Sequence, residues 1–136
     1  MPALKASLEG SLHYRGHHGQ LSFLLHRISG LGTLLFLTVH ILDTATVYFF
    51  PGLYEHAIAI YRSTPFMLGE IVLVFLVIYH GANGLRIALF DLHPQLWRAE
   101  TQQRAAVWVF ALSVVLWLPA AYWMGRSLVV HNFLGG

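Results

Sequence analysis

Three apolar stretches dominate this chain, each near the ~20 residues needed to cross a hydrocarbon layer about 30 Å thick. The first runs from about Leu24 to Phe50 and stops at the breaker pair Pro51-Gly52. The second covers about 66–91, with Pro65 suited to its first turn. The third covers about 104–124, and Pro119 is expected to kink its outer end. Lipid offers backbone groups no hydrogen-bond partner, so each stretch must close its own bonds as a helix. The expected fold is an all-α membrane protein with three transmembrane helices.

Composition agrees, at 57% hydrophobic and only 10% charged residues, where soluble domains carry roughly 25% charged. A soluble enzyme, a disordered chain and a nucleic-acid binder are therefore poor readings. The net charge of +2 is also too small for a phosphate-binding surface. Cysteine is absent, which removes disulfides and thiolate metal ligands, whereas histidine occurs nine times.

The connecting segments carry orientation. Residues 1–21 are polar and lack the apolar core of a secretory signal, so they are expected to be a retained tail. LYEHAIAIYR (53–62) sets Leu53, Ala57, Ile58 and Tyr61 against Glu55, His56 and Arg62. That pattern predicts a short amphipathic helix in the interface, with a plain loop as the alternative. Lys5, Arg15, Arg27, Arg86, Arg98 and Arg104 lie on the side of the N-terminus, and only Arg62 and Arg126 on the other. By the positive-inside rule the N-terminus faces the cytoplasm (or a mitochondrial matrix) and the C-terminus the opposite side of an inner or cytoplasmic membrane.

Polar side chains inside a span are costly and usually face a bundle interior. In the first span, His26, Gly30, Thr33, Leu37, His40 and Thr44 recur every three or four residues and form one stripe. His40 falls about 20 Å further along it than His26. In the second span, His80 shares its face with Asn83 and Gly84, while Asp91 returns to nearly that face about 16 Å away. The third span has no ionisable residue between Arg104 and Arg126 and is expected to be a lipid-facing packing helix. A neutral imidazole in mid-membrane suits haem iron, Gly84 leaves room for a porphyrin edge, and His26 and Arg27 stand where propionates would lie. The alternative is that His80 and His40 only hydrogen-bond to neighbouring helices.

Two motifs add a resemblance. HRISG (26–30) and YHGANGLRIALFD (79–91) are similar to signatures of the cytochrome b anchor subunit of succinate dehydrogenase, respiratory complex II. The likeness covers about residues 22–125. It implies a helical bundle completed by a second small anchor subunit, with an iron–sulfur subunit and a flavoprotein as further partners. It implies haem b with His80 as an axial ligand, one haem or, with His40 as ligand to a second, two. It also implies a quinone as bound substrate, with His26, Arg27, Ser22, Ser29, Arg86 and Asp91 near the propionates or the quinone. Phe23 stands where many relatives have a quinone-site serine, leaving Ser22 as the adjacent hydroxyl, and Ile87 stands where many have a histidine. The function implied is anchoring and electron transfer from succinate to quinone, without succinate chemistry in this chain. Two other readings stay open: a proton-conducting or transport subunit using His40, Asp43, Glu70 and His80, and a haem-free anchor of the same complex.

Overall fold

The structure is a computed structural model that describes residues 18–133; the tail expected over 1–21 lies outside them up to residue 17. Among the described residues four α-helices follow one another: α1 (His18–Phe49), α2 (Pro51–Tyr61), α3 (Thr64–Leu92) and α4 (Ala99–Phe133). A short 3-10 turn, Pro94–Leu96, joins α3 to α4. Helices α1, α3 and α4 are each long and apolar enough to cross a membrane. The protein is an all-α integral membrane protein.

The helices outrun the apolar stretches that predict them. α1 begins at His18 rather than near Leu24, and α4 runs from Ala99 to Phe133 rather than over 104–124. Apolar content marks where lipid begins and ends, whereas backbone hydrogen bonding continues wherever the ends can be supported. At the start of α4 a Glu100–Arg104 ion pair one turn apart (2.6 Å) gives that support in an exposed setting. Pro119 lies inside α4, which continues past it.

α2 is the predicted amphipathic helix, with Pro51 in its first turn. Its covered face differs by one residue from the expected one. Tyr54, Ala57, Ile58 and Tyr61 turn inward, and Leu53 is exposed.

α3 is the central element, packed on α1 along one face and on α4 along another. Against α4 it presents Phe75 and Tyr79, whose rings meet Phe110 edge-on with centroids 6.1 Å apart in both pairs. Trp117 also meets Phe75 and donates its indole N–H to the Ile71 carbonyl at 2.8 Å. Arg86 donates to the Gln102 carbonyl (3.3 Å) near one end of this contact, and Thr64 donates to Asn132 (2.8 Å) at the other. The third span is therefore the expected lipid-facing packing helix, with α3 as its partner. Ser113, wholly buried, hydrogen-bonds back to Val109 and keeps its hydroxyl satisfied inside α4.

Candidate functional site

The α1–α3 contact is built from the same short pattern used twice. HRISG on α1 and HGANG on α3 each place a glycine one turn after a histidine. The helices run in opposite directions, so each histidine is laid against the other helix's glycine. A Cβ added to Gly30 would lie 2.9 Å from Cε1 of His80 and 3.2 Å from its Nδ1, too close for both to stay. A Cβ on Gly84 would lie 3.8 Å from Cε1 of His26. Missing side chains thus let two helices approach until their imidazoles stack, with centroids 4.4 Å apart and planes within 6°.

This geometry corrects one expectation. Gly84 faces His26 rather than leaving an open edge beside His80, and the glycine that cradles His80 is Gly30, on the other helix.

His80 is held along one edge as well as by a face. Its Nδ1 lies 3.3 Å from the His26 carbonyl and 3.4 Å from Ser29 Oγ. A carbonyl only accepts, so its contact is a hydrogen bond in the tautomer with the proton on Nδ1, which would share that proton between two long contacts. Ser29 is wholly buried, and its own proton goes to the same carbonyl at 3.0 Å. With Nδ1 protonated, the lone pair of His80 sits on Nε2, which has no hydrogen-bond partner among the described residues.

A second buried polar group lies just beyond, towards the start of α1. The Tyr79 hydroxyl donates to the Ser22 carbonyl at 3.3 Å, and Ser22 Oγ donates to Asn83 Oδ1 at 3.4 Å. Ser22, Tyr79 and Asn83 are all buried, whereas Phe23 is 60% exposed. Ser22 therefore faces α3 and does not take the place of a hydroxyl at position 23. Tyr79 is the residue whose structural weight the sequence reading missed. The signal was present in the spacing of Tyr79, Asn83, Arg86 and Phe90, which recur every three or four residues on a second face of α3.

The remaining candidates are scattered. Arg27 is exposed on α1, with its guanidinium 5.6 Å from the Phe23 ring centre. Arg86 turns towards α4, and Asp91 is exposed near the end of α3. The stripe expected on α1 divides: His26, Gly30 and Thr33 are partly covered, while Leu37, His40 and Thr44 are exposed. His40 stacks only on Phe36 of its own helix, at 5.3 Å. Asp43 belongs to a different neighbourhood, near Tyr61 of α2. Partial burial, then the Asp43 carboxylate and the more distant Glu70, raise the Tyr61 phenol above its ordinary value.

A haem asks of such a chain an axial nitrogen with a free lone pair and cationic groups at the membrane boundary. His80 meets the first requirement through its pinned Nδ1, and Arg27 is available for the second. The residues present fit the group. Among the described residues no cluster of three or more His, Cys, Asp or Glu forms that could hold a bare metal ion.

Comparison with known proteins identifies the family. The profile of the succinate dehydrogenase/fumarate reductase transmembrane subunit family matches residues 8–120. The chain is also 34% identical over 119 residues to the succinate dehydrogenase 2 membrane subunit SdhC of Mycobacterium tuberculosis. That alignment takes in 87% of this chain and 85% of the relative.

Proposed function

The chain belongs to the succinate dehydrogenase/fumarate reductase transmembrane subunit family, and from that premise we propose that it is the haem b-bearing anchor of a succinate dehydrogenase. In this reading it tethers a flavoprotein and an iron–sulfur subunit to the membrane, completes its bundle with a second small anchor subunit and helps form the quinone site. Succinate is oxidised on the flavoprotein, electrons pass through the iron–sulfur subunit, and quinone is reduced at the membrane boundary. The side with most Lys and Arg, which includes the N-terminus, faces the cytoplasm.

The observation that carries the haem assignment is the clamping of His80. Its face rests on His26, its Cε1 edge on Gly30, and its Nδ1 on a buried carbonyl and hydroxyl. Holding the far nitrogen in this way fixes both the tautomer and the aim of the ligating one. Bound haem supplies a one-electron store beside the path to quinone. One haem is assigned, at His80, and none at His40.

Arg27 serves the quinone. Its guanidinium is exposed near the start of the first span, and the Phe23 ring beneath it limits where it can reach. A cation there polarises a quinone carbonyl and stabilises negative charge as the ring is reduced. The buried Ser22–Tyr79–Asn83 group links α1 and α3 at that level, on the helix that bears Arg27.

The test is the purified complex carrying His80→Ala. It is expected to lose the α-band of haem b from its reduced-minus-oxidised spectrum while the flavoprotein still copurifies. Unchanged haem content would sink the assignment.

A further inference from the structure

We infer that Ser29 is a positioning residue for His80, fixing through Nδ1 the tautomer and the ring plane that present Nε2 to a metal. The inference rests on the haem reading above but assigns Ser29 a place away from propionates and quinone. Ser29 has zero exposure, so neither a solvent-facing propionate nor an incoming quinone reaches it without the helices parting.

A serine inside a helix normally satisfies itself by bonding back to a carbonyl one turn earlier. Ser29 does so, donating to His26 at 3.0 Å, and that choice turns its oxygen lone pairs outward across the interface. There they meet Nδ1 of His80 at 3.4 Å. The same His26 carbonyl lies 3.3 Å from Nδ1. Hydroxyl and carbonyl are both acceptors for one N–H, and neither offers a proton to it while Ser29 donates to His26. Together they favour the tautomer with the proton on Nδ1, because the carbonyl can only accept and the hydroxyl proton is already directed to it.

The glycine and the second imidazole complete the clamp. Gly30 removes the Cβ that would push the ring away, and the His26 ring, 6° from parallel, blocks rotation about the His80 side-chain axis. The carbonyl belongs to the backbone and survives any side-chain change. Ser29 is thus the separable member of the clamp whose removal leaves the stack and the cradle standing.

The test uses the purified complex, with Ser29→Ala compared with Ser29→Thr, which restores the hydroxyl, and with Ser113→Ala. Ser113 is an equally buried serine satisfied within α4, and it reports what loss of any buried hydroxyl does. Ser29→Ala is expected to retain haem but shift the low-spin electron paramagnetic resonance signal. It should also speed haem transfer to an apo-globin scavenger, in line with the ~10-fold or greater loss of affinity typical when an outer-shell partner is removed. Ser29→Thr should restore both readings, and Ser113→Ala should change neither. An unchanged signal and transfer rate in Ser29→Ala overturns the inference, as does an equal change in Ser113→Ala. If the wild-type complex holds no haem, the haem reading fails on its own. The inference is then decided by the nitrogen-15 spectrum of histidine-labelled complex, with the His80 resonances identified by their loss in His80→Gln. A protonated Nδ1 that shifts in Ser29→Ala supports it, and a protonated Nε2 overturns it.

Discussion

The first helix carries two histidines in its span, and the structure treats them oppositely. His26 meets α3 at a glycine and stacks on His80, while His40, further along the same helix, stacks on its own neighbour Phe36 and is otherwise exposed. Both are imidazoles on one apolar helix, at spacings that sequence periodicity assigns to one stripe. What separates them is the facing helix. Opposite His26 stands HGANG, whose glycine permits contact; in the outer half, Tyr61 of α2 has Asp43 of α1 and Glu70 of α3 in its neighbourhood, and His40 stacks on Phe36 alone. A membrane histidine thus acquires a role from what the next helix omits as much as from what it supplies.

The widest gap between the two halves should appear in haem content. His80→Ala is expected to abolish the haem b α-band and His40→Ala to leave it whole. Equal losses would erase the distinction and bring His40 into a haem site. Stability should follow at the glycines. Gly30→Ala drives a methyl to 2.9 Å from a ring clamped on several sides, and overpacking of this kind typically costs about 1–3 kcal/mol. Gly69→Ala, where a Cβ meets nothing within 4 Å, should cost nothing. Thermal unfolding of the detergent-solubilised complex compares the two, and similar behaviour would mean the α1–α3 cradle is not tight.

A smaller effect is expected at the buried hydroxyl group. Tyr79→Phe removes the donor to the Ser22 carbonyl and should lower stability by roughly 1 kcal/mol, the usual net worth of such a bond. The matching change at the exposed Tyr48 should be silent, and a loss there would argue that the difference comes from lipid rather than from burial. The smallest effect lies in the outer half. Asp43→Asn should bring the raised Tyr61 phenol back towards its ordinary value, read as phenolate absorbance in an alkaline titration. The sign follows from tighter proton binding in the folded state. Tyr61 contributes its full share of stability below the ordinary phenol range, near pH ~10, and loses it as pH rises through the raised value. A phenolate transition unmoved by Asp43→Asn would leave burial and Glu70 as the causes.

Much of the site was legible in the residues themselves. HRISG and YHGANGLRIALFD mark His26, Gly30, His80 and Gly84 by their residues alone. Their pairing was not legible: Gly84 read as space beside His80, on its own helix, when the space His80 uses is Gly30 across the interface. Ser22 and Ser29 read alike as boundary hydroxyls, yet one joins Tyr79 and Asn83 and the other joins His80. The two differ by seven residues, nearly two turns, so they share a face, and periodicity has no means of separating them. The outer helix α2 shows the same limit on a smaller scale. Its amphipathicity was plain, but whether Leu53 or Tyr54 turned inward depended on how it docked.

By itself the sequence determined that this chain makes three spanning helices, where each is apolar, and which few polar residues must find a reason to lie between them. Those follow from composition and period, because a backbone in hydrocarbon has no alternative to closing its own hydrogen bonds. The tertiary structure alone decided that α3 stands between α1 and α4, that two histidine–glycine pairs interlock, and that Ser29 reaches Nδ1 of His80. Contacts between helices depend on register and azimuth together. A one-residue change turns a helix by about 100°, so the faces written into a sequence leave open which of them meet.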